Sequence, residues 1–212
     1  MQSLFITATG TNIGKTHTTL RLIEILAAQG LSVGVFKPIE TGVVDRAPDA
    51  LKLLTACQKV NPRFASFSPD DITAYTFPLP AAPFCADREE TIRIDVILAQ
   101  YQALSKACDI LLVEGAGGLM VPITKEFFMI DLADLLNIPI LLVTPSRLGS
   151  INDTLLSIEA LKARKLSFEW CVNLYEDTTD FATVTQPFYD ACFPDWWQCD
   201  TGLEAFAKRV CQ

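Results

Sequence analysis

Gly14-Lys15-Thr16 stands between a short apolar run, Leu4-Phe5-Ile6, and apolar residues at helical spacing, Leu20, Ile23, Leu26 and Ala27. A strand, a loop and a helix start in that order form a phosphate cradle at residues 8–16. There the free backbone N–H groups of the loop, Asn12 and Ile13 included, and of the helix N-terminus point at phosphate oxygens. Lys15 reaches the β- and γ-phosphates, and the Thr16 hydroxyl is placed to ligate Mg2+. The usual G-x-x-x-x-G-K-[ST] spacing has glycine where this chain has Thr9, with Gly10 one residue later. His17, the single histidine, lies in the cradle helix. The site already has its cations, so packing or surface is the expected role of His17, not catalysis.

A second group, Val113-Glu114-Gly115-Ala116-Gly117-Gly118, follows the apolar run Ile110–Val113. An acid at a strand end beside a phosphate cradle can hold Mg2+, and glycines let backbone approach a ligand closely. A third, Lys37-Pro38-Ile39-Glu40-Thr41-Gly42, ends another strand and brings a second cation to the same rim. Asp49 precedes a helical pattern and fits a helix-start acid or a metal ligand equally well. Leu148-Gly149-Ser150-Ile151-Asn152 opens a later helix, whose free N–H groups could hold a carboxylate; an ordinary cap using Ser150 competes with that reading. Asn173 ends a strand, where its amide could read a nucleobase edge.

The elements that must position these groups alternate. Strands are expected at Leu4–Ile6, Leu31–Phe36, Asp109–Val113, Ile138–Val143 and Phe168–Val172. Helical spacing joins them, as at Ile94, Ile97, Leu98, Tyr101 and Leu104, with Gly30 as a helix stop. Solid apolar strands belong to sheets buried on both faces, and strand–helix–strand alternation makes them parallel. The expected fold is α/β: a doubly wound, mainly parallel sheet with helices on both faces, of the P-loop kind. Ligands bind beyond the carboxyl ends of such strands, where every motif above falls.

A length of 212 residues fits one such domain. Residues 60–91 carry five of the prolines and read as a loop-rich insertion or lid; residues 176–201 carry no clear periodicity. The net charge of −8 disfavours nucleic acid as a partner. No apolar run approaches the ~20 residues of a membrane span, and the N-terminus has no basic leader ahead of its first strand. Seven cysteines (57, 85, 108, 171, 192, 199 and 211), unevenly spaced with mostly apolar neighbours, read as reduced thiols used as small hydrophobes in the cytoplasm.

Taken in order, Thr11–Thr16, Lys37–Gly42, Asp49, Glu114-Gly115-Ala116-Gly117-Gly118-Leu119-Met120-Val121-Pro122, Leu148–Asn152 and Asn173 resemble the dethiobiotin synthetase family over roughly the first 175 residues. The resemblance implies ATP-dependent closure of a cyclic urea from 7,8-diaminononanoate and CO2, through a carbamate and its phosphoric anhydride. It also implies Mg2+ held by Thr16, Asp49 and Glu114, and nucleotide held by Asn12–His17, Glu114, Gly115, Gly117, Gly118 and Asn173, the last reading adenine. Thr11 and Lys37, with Lys15, would handle the carbamate and γ-phosphate. Asn12, Thr41 and Gly118 would contact the diamine, and the distal carboxylate would sit at Leu148–Asn152 across a homodimer interface.

Two other functions are compatible with the cradle alone. An amidating ligase of the cobyrinate type normally carries a glutamine-hydrolysing domain, for which 212 residues leave no room. A partition-type nucleotide switch typically has a further lysine early in its phosphate loop, and residues 7–14 contain none.

Overall fold

The computed structural model describes residues 2–175 and 178–210. Cys211 and the first two residues of the segment 176–201, read above, lie outside the described residues. In chain order the elements are β1 (Gln2–Ala8), α1 (Lys15–Ala28), β2 (Val33–Phe36), β3 (Ile39–Thr41), α2 (Pro48–Val60), β4 (Tyr75–Phe77), α3 (Pro83–Ala86), α4 (Ile94–Ser105) and β5 (Ile110–Gly118). They continue with α5 (Met129–Leu136), β6 (Ile140–Pro145), α6 (Ser150–Ala163), β7 (Phe168–Asn173), α7 (Thr178–Val184), α8 (Gln186–Cys192), β8 (Trp197–Gln198) and α9 (Cys199–Val210).

Among the described residues the main sheet runs β2-β5-β1-β6-β7-β8, and every pairing in it is parallel. Every residue of β6 is buried, as are residues 3–8 of β1 and 110–115 of β5. Side chains alternate between faces along a strand, so unbroken burial means that both faces of the sheet are covered. A doubly wound parallel sheet is thus the observed fold. Gly30, with φ +88, follows the last turn of α1 as a helix stop.

The expected strand at 109–113 is longer than the sequence suggests. β5 runs on through Glu114 to Gly118, although glycine is poor in strands, because backbone pairing to β1 continues past the apolar residues. The register shifts on the way: Ile6 faces Glu114 but Ala8 faces Gly118, so Gly115–Gly117 form an irregularity at the strand's carboxyl end. A Cβ on Gly118 would stand 3.0 Å from the Thr9 carbonyl oxygen. Glycine there lets β5 lie against the start of the phosphate loop.

Residues 60–91 contain short elements only, including β4, which pairs with β3, and α3, which begins at the wall Pro80-Ala81-Ala82-Pro83. Residues 178–201 form α7, α8, β8 and the start of α9, held by aromatic packing that strand or helix periodicity does not reveal. Trp170 packs edge-on to Tyr189 and Phe193, and Phe181 and Trp196 pack on the Tyr189 ring. α9 then returns to α1, where Arg21 pairs with Asp200. Burial pushes the Cys57 and Cys108 thiols up to about 12, as suits small hydrophobes. Cys85 and Cys192 depart from that reading, since both are exposed.

Candidate active site

The site follows from register. β2 and β5 are parallel, with Phe36 opposite Val113. The next residue on each strand, Lys37 and Glu114, therefore emerges at the same level. The Lys37 ammonium donates to Glu114 Oε1 at 2.8 Å and to the Gly115 carbonyl at 3.0 Å. β1 lies on the other side of β5, so its following loop and α1 reach the same carboxylate. The Thr16 hydroxyl donates to Oε1 and the Thr19 hydroxyl to Oε2, both at 2.9 Å. Glu114 is fully buried and Lys37 is 4% exposed, so three donors replace the water that the carboxylate has lost.

Burial alone would lower the Lys37 pKa, but the neighbouring Glu114 charge and its hydrogen bond raise it above the ordinary lysine value. Lys15 differs. Burial, then repulsion from Lys37, lower its pKa to about 8 against the opposing pull of Glu114 and Asp49. Its ammonium meanwhile donates to the Gly10 carbonyl at 2.7 Å, spanning its own loop.

The loop is braced from the end of β7. Asn173 Nδ2 donates to the Ile13 carbonyl at 2.9 Å, and the Tyr175 hydroxyl bonds the Asn12 carbonyl. With these carbonyls turned outward, the loop's N–H groups are left for a ligand. Asn12 and Gly14 take positive φ, +60 and +107. Gly14 is required twice over, because a Cβ there would lie 2.1 Å from Asn173 Nδ2.

Around these groups is a cavity of about 680 Å³, lined by Thr11, Asn12, Gly14, Lys15, Thr16, His17, Lys37, Thr41, Asp49 and Gly117, with the wall Pro80–Pro83 opposite. Ten of the residues singled out in the sequence thus line one space. Ile13, Glu114 and Gly115 are buried just behind it. His17 is at the mouth, with an exposed side chain 3.9 Å from Asp200. Gly118 lies elsewhere, in a smaller groove of about 270 Å³ with Met120 and Leu156. Leu148–Asn152 line neither space, and Ser150 is the first residue of α6, not its cap, the cap position being Gly149 with φ +89. Asn173 is 5% exposed, engaged with the loop itself.

Three contributors were not singled out as site residues from sequence. Thr19 shares Glu114 with Thr16. Tyr175 braces the loop. Glu40 accepts the backbone N–H groups of Asp49 and Ala50, both at 2.8 Å, from across the cavity wall. Only Glu40 carried a readable signal, a carboxylate shortly before a helix that starts Ala47-Pro48 without a polar cap.

Among the described residues no three His, Cys, Asp or Glu side chains gather as a metal cage. Mg2+ asks for less, since it keeps waters and takes phosphate oxygens, and the oxygen donors Thr16, Glu114 and Asp49 around one phosphate loop suit it.

Residues 2–172 match the family described as AAA domain. A relative from Sulfurovum sp. (strain NBC37-1), called ATP-dependent dethiobiotin synthetase BioD, is 68% identical over 210 residues, covering 99% of this chain and 100% of its own. A Wolinella succinogenes protein of the same name is 38% identical and covers 99% of this chain and 98% of its own. Among solved structures, the MinC:MinD cell division protein complex of Aquifex aeolicus matches with TM-score 0.56 at 15% identity, covering 99% of this chain and 86% of that one. A plasmid partition protein from Borrelia burgdorferi also gives 0.56, at 9% identity, covering 99% of this chain and 95% of that one. These two show a common fold and nothing further.

Proposed function

The chain belongs to the ATP-dependent dethiobiotin synthetase family, and from that premise we propose that it is a C–N bond-forming ligase that converts 7,8-diaminononanoate, CO2 and ATP to dethiobiotin, ADP and phosphate. The single observation that supports this most is the convergence of Lys15, Lys37 and Thr16 on one cavity that also exposes Thr11 and Thr41, with Glu114 buried behind it and bonded to Thr16 and Lys37.

The chemistry asks two anions to meet. One amine takes up CO2 as a carbamate, whose oxygen attacks the γ-phosphate; the second amine then attacks the carbamate carbon and expels phosphate, closing the five-membered urea. Carbamate and polyphosphate repel, so the cations must be in place beforehand. Lys15, at the loop, serves the phosphate oxygens. Lys37, fixed by Glu114, serves the space between γ-phosphate and carbamate, with the Thr11 hydroxyl beside it. Asn12 and Thr41 orient the diamine. Holding the reactants at contact distance, more than proton transfer, supplies the rate. Mg2+, when bound, would be held by Thr16, Asp49 and Glu114 and would offset charge on the β- and γ-phosphates.

Asn173 is assigned to the adenine as well as to the loop: with Nδ2 given to Ile13, its carbonyl oxygen is the group left for an exocyclic amine. The segment Leu148–Asn152 is assigned to the distal carboxylate of a diamine bound by a second copy. Exposed Leu148 (74%) and Leu156 (64%), with Met120 beside the smaller groove, support that homodimer surface. The free cysteines support a reducing, cytoplasmic setting, and no described helix is long and apolar enough to cross a membrane.

Purified chain given Mg-ATP, diamine and bicarbonate is expected to release phosphate in step with urea formation. Phosphate release indifferent to diamine would favour a nucleotide switch instead.

A further inference from the structure

α2 begins without a cap of its own. Its flanking residue is Ala47, which has no side-chain acceptor, and Pro48 fills the first helical position. The next two amides, of Asp49 and Ala50, would be left unpaired at the edge of a cavity. Glu40, on β3, meets both: Oε1 accepts from Asp49 and Oε2 from Ala50, each at 2.8 Å. The carboxylate is 4% exposed, and a negative charge at a helix N-terminus also meets the positive end of the helix dipole.

This cap comes from a particular place. Glu40 is three residues beyond Lys37, on the segment that Lys37 ties to Glu114. One stretch of chain therefore fixes the Lys37–Glu114 pair at one end and the start of α2 at the other. The backbone unit that Glu40 grips is that of Asp49, whose side chain lines the cavity. With both oxygens turned to the helix amides, Glu40 is not presented to substrate, although it forms part of the wall.

We propose that Glu40 is a positioning residue for Mg2+, acting through Asp49 by clamping its backbone N–H so that the Asp49 carboxylate is held in the cavity that Thr16 also lines. This rests on Asp49 being a metal ligand, as read above. Glu40 sets how much Mg2+ strengthens nucleotide binding, and leaves metal-free binding to the phosphate loop.

The test is calorimetric titration of ADP into the full chain, with and without Mg2+, for wild type, Glu40→Gln, Asp49→Asn and the double variant. Glutamine keeps the shape but turns an N–H toward one of the amides. The expected result is that each single variant loses on the order of tenfold of the Mg2+-dependent gain, with metal-free ADP affinity of Glu40→Gln within about twofold of wild type. The double variant loses no more than Asp49→Asn alone. Additive losses, or a full Mg2+ gain in Glu40→Gln where Asp49→Asn has lost it, would overturn the proposal. No effect of Asp49→Asn would instead overturn Asp49 as ligand. Should Glu40→Gln not fold, amide hydrogen exchange on the wild-type chain decides: protected Asp49 and Ala50 amides are expected, and exchange at the rate of an unpaired helix end refutes the clamp.

Discussion

Lys37 Nζ and Glu114 Oε1 are 2.8 Å apart and closed off from solvent, at the carboxyl ends of two adjacent parallel strands in register. A buried ion pair of this kind contributes little net stability over an apolar pair, but breaking it strands a charge. Its position beside the phosphate loop gives it a functional reading: an ammonium fixed in place before the anions arrive.

Lys37→Ala is therefore expected to cost about 3 kcal/mol of stability, because Glu114 keeps its burial and loses its cation. Turnover is expected to fall by about 100-fold or more while nucleotide still binds. Denaturant unfolding, steady-state rates and nucleotide titration on one preparation check all three. Lost nucleotide binding with unchanged turnover per bound enzyme would contradict the role given to Lys37.

Lys15 is expected to make nucleotide affinity depend on pH. In the free protein its pKa is about 8; a bound polyphosphate favours the charged ammonium and raises it. The complex then holds more protons than its parts, so affinity falls as pH rises through the free value and on above it. Titration of ATP at about pH 8.5 in buffers of different ionisation enthalpy should show proton uptake, and at about pH 6.5, where Lys15 is already charged, none from this group.

Gly14→Ala puts a methyl group 2.1 Å from Asn173 Nδ2 at a φ of +107. Strain at such a position costs about 1–3 kcal/mol, and the displaced Asn173 releases the Ile13 carbonyl. Thermal unfolding should shift down and ADP affinity should drop together; a variant with unchanged ADP affinity would show that the brace does not shape the loop.

Leu156→Glu places a charge on the apolar surface assigned to the second copy. Sedimentation should show monomer in place of dimer, with nucleotide binding kept and the apparent KM for diamine raised, as the proposed partner-supplied carboxylate segment requires. A wild-type chain that sediments as a monomer would remove the shared site.

The sheet was legible because its strands are solid apolar runs, and the cradle because Gly-Lys-Thr needs a strand before it and a helix after it. Lys37 and Glu114 were recognisable as rim residues, yet their pairing depends on the β2–β5 register, which apolar runs do not specify. Glu114 looked like a strand end because the glycines after it have low strand propensity; backbone pairing outweighed that preference. Glu40 and Tyr175 act on backbone groups in other segments, contacts that depend on tertiary placement and leave no periodic trace. The aromatic cluster around Tyr189 is likewise a packing solution without a repeat.

In the proposed reaction the γ-phosphoryl group passes to a carbamate oxygen inside this cavity. In a rapid single turnover with freshly dissolved 18O-labelled bicarbonate and unlabelled ATP, that oxygen must leave with the phosphate when the second amine closes the ring. Inorganic phosphate carrying one labelled oxygen per urea formed is the expected result. Phosphate without label, at equal yield of cyclic urea, would contradict the route and the roles given to Lys37 and Lys15 with it.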